Sequence, residues 1–319
     1  MNGKIDVAAI GEVLIDFAQE SVDALGYPTM AAHPGGAPCN FLAALSALGM
    51  KTAFLGKVGE DDFGLMLRHT LDAAGIDTRG LISDPDVFTT LAFVRFDENR
   101  DRSFSFARKP GADTRLRSDE LDLTVIDECR MLHFGTLSLT DEPARSATQA
   151  AVEYARRRGK LISFDPNLRF PLWPDRDMLR GTVLQFLPLS NILKISDEEL
   201  EFLTGTADIE SALPQLLVGD VQLVLYTCGS KGARAYTRTA SAHARSPKVT
   251  AVDTTGAGDG FIGSFLWQLQ RDGVTAAELP KLSRKRLTEY LAFSNRFCAI
   301  SVQHHGALDS YPTLAQMEQ

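Results

Sequence analysis

The run Asp253-Thr254-Thr255-Gly256-Ala257-Gly258-Asp259 opens directly into Gly260-Phe261-Ile262-Gly263-Ser264-Phe265-Leu266, and its residue types could do chemistry. Two glycines flanking an alanine let successive backbone N–H groups curl around an oxygen anion. The apolar pattern that follows makes the turn a helix N-terminus. Such an end carries unsatisfied N–H groups and the positive end of the helix dipole, so negative charge is favoured there. A carboxylate in its midst, Asp259, works against simple anion binding. It fits another task, taking the proton from a hydroxyl that attacks a phosphoryl group. The alternative for Asp259 is a cap that complements the dipole from the first helical turn. The run alone leaves both open.

Positioning such a turn requires a frame, and the periodicities describe one. Ile5 to Ile10 reads as a strand before Gly11. Phe41, Leu42, Leu45 and Leu48 recur at helical spacing over Cys39 to Leu48, with Gly49 as a stop. A strand over Ala53 to Val58 and a helix over Phe63 to Ala74 complete a βαβ unit. Leu91 to Phe96 and Ser103 to Phe106, separated by Asp97-Glu98-Asn99-Arg100-Asp101, read as a hairpin with one wet face. We expect it to form a small β lid, built from about residues 12–34 and 88–112 and joined by the segment from about Ile15 to His33. Alternation then resumes with strands at Met131–Phe134, Leu161–Phe164, Ile192–Ile195, Val221–Tyr226 and Ala233–Tyr236. Helices are expected at Pro143–Arg158, Asp197–Leu203, Gly258–Arg271 and Arg284–Ser301. The expected fold is one α/β domain over residues 1–319, a mainly parallel sheet with helices on both faces.

Composition narrows the function classes. Among 319 residues, 44% are hydrophobic and 23% charged, as in globular domains. A net charge of −8 argues against a nucleic-acid partner, and the basic run Arg156-Arg157-Arg158-Gly159-Lys160 reads as the end of a helix. No stretch approaches the roughly 20 apolar residues of a membrane span, nor does the start resemble a secretory signal, so a cytoplasmic protein is expected. Cys39, Cys129, Cys228 and Cys298 are widely spaced, which excludes zinc spacing and favours buried thiols.

Four motifs in order carry a resemblance. Gly35-Gly36-Ala37-Pro38-Cys39-Asn40, Gly56-Lys57-Val58-Gly59-Glu60-Asp61-Asp62-Phe63-Gly64, Thr227-Cys228-Gly229-Ser230-Lys231-Gly232 and the Asp253–Asp259 run together resemble the ribokinase-like (PfkB-type) carbohydrate kinases over almost the whole chain. The first motif has the fructokinase form. So do Phe106-Ala107-Arg108-Lys109-Pro110-Gly111-Ala112-Asp113 and Asp165-Pro166-Asn167-Leu168-Arg169-Phe170-Pro171-Leu172-Trp173-Pro174. The implied activity is transfer of the ATP γ-phosphoryl group to the 6-hydroxyl of fructose. A related sugar or sugar acid, such as 2-keto-3-deoxygluconate, is the alternative acceptor, because Arg108 and Arg169 could serve a carboxylate.

The resemblance also implies roles. Asp16, Gly35, Gly36 and Asn40 would bind the sugar, with Phe104 and Arg108 closing over it from the lid and Arg169 near the phosphate path. Short polar groups of both kinds suit an uncharged polyol. The amides of Gly256, Ala257 and Gly258 would form the anion hole and Asp259 the base. Lys194, Thr227, Gly229, Gly232 and Asn295 would serve the nucleotide. Mg²⁺ is implied on the ATP phosphates through water, organised by Glu199; here Ser196 stands where the family motif has asparagine. K⁺ is implied beside the anion hole at Asp253, Thr255, Ser301, Gly306 and Ser310.

Other classes fit less well. The third glycine is misplaced for a dinucleotide-binding turn, and no G-x-x-x-x-G-K-[ST] is present. A sugar sensor without catalysis would not need Asp259 and its glycines. The apolar residues Phe93, Phe96, Phe104 and Phe106 of the lid suggest a homodimer through lid edges.

Overall fold

A computed structural model describes residues 4–96 and 102–318, without the side chains of residues 95, 96 and 102–104. The expected polar turn at Asp97–Asp101 and the side chains of Phe96 and Phe104 therefore lie outside the described residues.

The strands, in chain order, are β1 (Val7–Ile10), β2 (Leu14–Val22), β3 (Pro28–Gly35), β4 (Thr52–Gly59), β5 (Ile76–Asp84), β6 (Leu91–Phe96), β7 (Arg102–Ala107), β8 (Met131–Gly135), β9 (Leu161–Asp165), β10 (Ile192–Ser196), β11 (Leu223–Thr227), β12 (Ala233–Tyr236) and β13 (Ser241–Ala244). The α-helices are α1 (Ala37–Ala47), α2 (Asp62–Ala73), α3 (Leu123–Glu128), α4 (Ala144–Arg157), α5 (Arg176–Phe186), α6 (Asp197–Thr204), α7 (Ile209–Leu216), α8 (Ala257–Arg271), α9 (Arg284–Ser301) and α10 (Leu314–Met317).

Nine strands form one sheet in the order β13-β12-β11-β10-β9-β8-β1-β4-β5. Pairing is parallel from β5 to β11 and antiparallel at β12 and β13. Every residue of β1 and β4 is buried, as a parallel sheet covered on both faces requires. Alternate β1 residues serve two cores: Val7 and Ala9 face one, Ala8 and Ile10 the other. The protein is thus α/β, with a mainly parallel sheet between helical layers.

A second sheet has four strands in the order β3-β2-β6-β7. The stretch from Ile15 to His33, expected as a connector, is itself a hairpin of this sheet. Its turn is built by Asp23, whose carboxylate accepts Leu25 N at 2.9 Å and Tyr27 N at 2.8 Å. β2 pairs parallel with β6, so two separate excursions of the chain meet here. Phe17 of β2 stacks on Phe93 of β6 at 5.4 Å and meets Phe63 of α2 edge-on at 5.6 Å. That contact seats the small sheet on the body. Among the described residues no helix is long and apolar enough to cross a membrane.

Helix α8 packs against both α1 and α9. Gly263 permits the approach to α1, since a Cβ there would lie 3.0 Å from Ala44 Cβ and 3.1 Å from Phe41 O. Trp267 Nε1 donates to Leu48 O at 2.9 Å and locks the same pair of helices.

Candidate active site

The large sheet changes winding direction at β1, whose neighbours are β4 on one side and β8 on the other. In open α/β sheets ligands bind beyond the carboxyl ends of strands at such a reversal. Chemistry-bearing residues collect at these ends: Glu12 and Asp16 after β1, Asp165 closing β9, Ser196 closing β10 and Thr227 closing β11.

Asn40 and Asp259, 219 positions apart, meet here: Asn40 Nδ2 donates to Asp259 Oδ2 at 2.9 Å. Both are buried, and Asn40 Oδ1 has no partner among the described residues. A buried amide oxygen left open in this way is suited to a hydroxyl donor. Burial pushes the Asp259 carboxyl above its ordinary value, against the Asn40 hydrogen bond and the positive charges of Lys194 and Arg169. Burial likewise raises Asp16 to about 6, with Arg169 and His33 opposing and the charge of Asp259 adding to the rise. Asp16, Asn40, Arg169 and Asp259 therefore share one electrostatic environment. Gly35 belongs to it by contact, since a Cβ there would lie 2.1 Å from Asp16 Oδ2. Gly36, at φ 113°, begins α1 over the carbonyl of Glu12.

At the head of α8, Gly256 is left-handed at φ 72° and caps the helix. Of the three amides expected to hold an anion, Ala257 N donates to Thr254 O at 3.2 Å, whereas the N–H groups of Gly256 and Gly258, and that of Asp259 next in the turn, have no acceptor among the described residues. Lys194 borders this turn, with Nζ 3.3 Å from where a Gly258 Cβ would stand. That ammonium bonds Asp165 Oδ1 at 3.1 Å and lies 4.0 Å from Glu199 Oε2. Although burial pulls Lys194 down, Asp165, Glu199 and Asp259 hold it above the usual lysine range. Burial raises Asp165 against the pull of Lys194, and its Oδ2 has no partner among the described residues.

Glu199 and Ser196 form a reciprocal cap on α6, with Ser196 N donating to Glu199 Oε2 at 2.8 Å and Glu199 N to Ser196 Oγ at 3.3 Å. Ser196 pairs in register with Thr227, which brings the β11 loop alongside. Gly232 and Asn295 converge on one carbonyl: Asn295 Nδ2 donates to Ala244 O at 2.9 Å, and a Gly232 Cβ would collide with that oxygen. Gly229 is left-handed and exposed on the same loop.

Residues expected around a monovalent cation also gather. Asp253 Oδ1 accepts Thr255 N at 2.9 Å and Thr255 Oγ1 at 2.7 Å. Its Oδ2 accepts Gly306 N at 3.1 Å, and Ser301 Oγ meets Ser310 Oγ at 2.7 Å. His304 and His305, just before Gly306, are exposed.

Arg108 departs from expectation. It does not lie over the site from the lid but is buried in the body. There Nε and Nη2 donate to Asp113 Oδ2 at 2.8 and 2.7 Å, Nη2 to Leu137 O at 2.7 Å and Nη1 to Thr140 Oγ1 at 2.7 Å. A guanidinium so occupied anchors the base of the lid. Two further site residues escaped the sequence reading. Asp165 was marked only by its place, a carboxylate ending a solidly apolar strand. Glu12 Oε1 accepts Ala37 N at 3.0 Å and so caps the helix that carries Asn40, a partnership across 25 residues that no local pattern discloses. Burial raises Glu12 to about 7.

Comparison with known proteins agrees with this geometry. The family described as pfkB family carbohydrate kinase matches residues 4–314. A probable fructokinase-4 of Arabidopsis thaliana is 40% identical over 316 residues, covering 98% of this chain and 95% of that protein. The crystal structure of a fructokinase with bound ATP from Xylella fastidiosa superposes with a TM-score of 0.92 at 30% identity, covering 98% of this chain and 97% of that one. A Vibrio cholerae O395 fructokinase variant in its fructose-, ADP- and potassium-bound form gives a TM-score of 0.86 at 31% identity, covering 100% and 98%. Matched in sequence and in fold along nearly its whole length, the chain belongs to the pfkB family of carbohydrate kinases, phosphotransferases that act on an alcohol group.

Proposed function

We propose that this kinase is a fructokinase that moves the γ-phosphoryl group of ATP to the 6-hydroxyl of fructose. The observation that carries the reading is the Asn40–Asp259 hydrogen bond beside acceptor-free N–H groups at the head of α8. It joins a sugar-type donor–acceptor pair, a carboxylate and an anion site at one point. In this reading Asp16 and Asn40 hold the sugar hydroxyls, and Asp259 accepts the proton of the attacking hydroxyl. That oxygen bonds to the γ-phosphorus as the bond to the β-phosphate oxygen breaks, and ADP leaves. Charge on the migrating group is met by the N–H groups of Gly258 and Asp259, with Lys194 and Arg169 nearby. Closure of the small sheet would exclude water, the competing acceptor.

The residues present fit a hydrated Mg²⁺: Asp165 Oδ2, buried with no hydrogen-bond partner among the described residues, and the Glu199 carboxylate both stand beside Lys194. When bound, the ion would neutralise phosphate charge. Ser196, in place of asparagine, caps α6 and holds Glu199, which leaves Asp165 to take the larger share of the water contacts. Oxygen-rich loops at Asp253, Thr255, Ser301, Gly306 and Ser310 suit K⁺. The relatives' bound ATP, ADP, fructose and potassium support these assignments by similarity.

A sugar acid fits less well, because Arg108, one of the two arginines expected to serve a carboxylate, is committed to Asp113. A substrate panel followed by ADP release tests this. Fructose is expected to give the highest kcat/KM, and faster turnover of 2-keto-3-deoxygluconate would transfer the assignment to it. We also propose a homodimer through the small sheet, whose hairpin exposes Val22, Leu25 and Tyr27. Light scattering across a dilution series should give twice the chain mass of 34.8 kDa at micromolar concentration. A constant single-chain mass would reject it.

A further inference from the structure

The anion-site turn is held from behind by a residue that no motif singles out. Tyr311 Oη donates to Gly256 O at 2.8 Å. Gly256 O also accepts Gly260 N at 2.8 Å, so both lone pairs of the cap carbonyl are engaged. The ring abuts the same turn: a Cβ at Gly256 would stand 2.5 Å from Tyr311 Oη, and one at Gly260 would stand 2.7 Å from Cε1. The ring also stacks on Phe297 of α9 at 5.6 Å. Tyr311 follows Ser310, itself bonded to Ser301, so the phenol is fixed from two directions. Burial lifts the phenol well above its ordinary value, with the charge of Asp259 adding to the rise. It is therefore a protonated donor at every working pH.

We propose that Tyr311 is a positioning residue for phosphoryl transfer: by holding the Gly256 carbonyl, its hydroxyl aims the acceptor-free N–H groups of Gly258 and Asp259 at the migrating phosphoryl group. The physical reason is directional. The Gly256 carbonyl shares a planar peptide with Ala257 N–H, so fixing it at both ends, through Tyr311 and Thr254 O, sets the direction of the first helical turn from which the Gly258 and Asp259 N–H groups project. Donors aimed before the reaction begins cost no reorganisation when charge develops. Tyr311 touches no substrate; it acts through Gly256. Cys298 Sγ, donating to Ala257 O at 3.3 Å, makes a weaker bond of the same kind to the next peptide.

The proposal rests on the reading of this turn as the phosphoryl site, and Tyr311→Phe tests it separately. The variant keeps the ring and removes only the hydroxyl. With ATP and the sugar that the parent chain turns over fastest, kcat is expected to fall roughly 10- to 100-fold, less than the loss of a direct oxyanion donor. KM for sugar and ATP should stay within about twofold, because ground-state binding does not use the aimed N–H groups. Affinity for ADP plus aluminium fluoride, a mimic of the transferring group, should fall with kcat while affinity for ADP alone is kept. That contrast separates positioning from general loosening even if the melting temperature drops. An unchanged kcat, or equal losses of both affinities, would overturn the proposal. Asp259→Asn measured alongside separates the two readings. If it keeps turnover, the site assignment fails and the Tyr311 proposal with it. If it loses turnover while Tyr311→Phe does not, only the Tyr311 proposal fails.

Discussion

Asp259→Asn is expected to lower kcat by roughly 10²- to 10⁴-fold while sugar binding stays within a few-fold of the parent. Asparagine is isosteric, and its amide oxygen can still accept from Asn40 Nδ2, so the contact between α1 and α8 survives. Only the capacity to take a proton is lost. The pH profile should report the same group. Burial raises the Asp259 carboxyl, and a base works only when deprotonated. The acidic limb of kcat/KM is therefore expected above the ordinary carboxylate range, with activity lost as pH falls through it. Asp16, raised to about 6, contributes to that limb in the free enzyme. Rapid-quench measurement of a single turnover, with sugar affinity from calorimetry, separates the terms. Parent-like turnover in the variant would remove Asp259 from the role of base.

Lys194→Met should act on stability and activity together. The ammonium stands between Asp165 and Glu199, both buried, and removing it strands their charges. Breaking a buried pair by deleting one partner costs about 3–5 kcal/mol. Denaturant unfolding at pH 8 is expected to show a loss of that order. The loss should shrink as the pH falls towards 5. Without Lys194 the Asp165 carboxyl rises further, so the folded variant binds a proton that the unfolded chain still releases, and stability recovers on acidification. Turnover should fall roughly 10²- to 10³-fold through the lost cation beside the phosphate-side turn. A pH-independent loss, or none, would show that Lys194 is not the counter-charge of this cluster.

Much of the frame was legible because local patterns decide it. The helix expected at Arg284–Ser301 is found there as α9, since Ser283 caps it and apolar residues recur through it, although the short α10 follows it. The buried strands β8 to β11 announce themselves as apolar runs. The elements that were missed lack such marks. β5 and β13 are edge strands, and Ser241-Ala242-His243-Ala244 is too small and too polar to read as a strand. α5 hides behind Pro171 and Pro174, although Asp175 caps it by accepting Met178 N at 2.7 Å. α7 contains Pro214, a residue that argues against a helix from sequence.

Within the site the same division holds. Asp259 and Asn40 stood out in the sequence, Asp259 by its place in a glycine-rich turn and Asn40 through the family resemblance, and the structure brings the two together. Arg108 could not be placed: whether a guanidinium meets solvent, substrate or a buried carboxylate depends on where Asp113 and Leu137 O come to lie. That Ala257 N–H is engaged while those of Gly256, Gly258 and Asp259 stay open depends in turn on how Thr254 O folds back.

By itself the sequence determined the alternation of strands and helices, the family and the identities of the groups able to take a proton or bind an anion, since these follow from residue type and short-range spacing. Tertiary structure alone decided which groups meet. It joined Asn40 to Asp259 through the close crossing of α1 and α8 at Gly263, gathered Lys194, Asp165 and Glu199 into one cluster, and set Tyr311 behind the turn. Contacts across tens to hundreds of residues are fixed by packing of whole elements, and no local pattern encodes them.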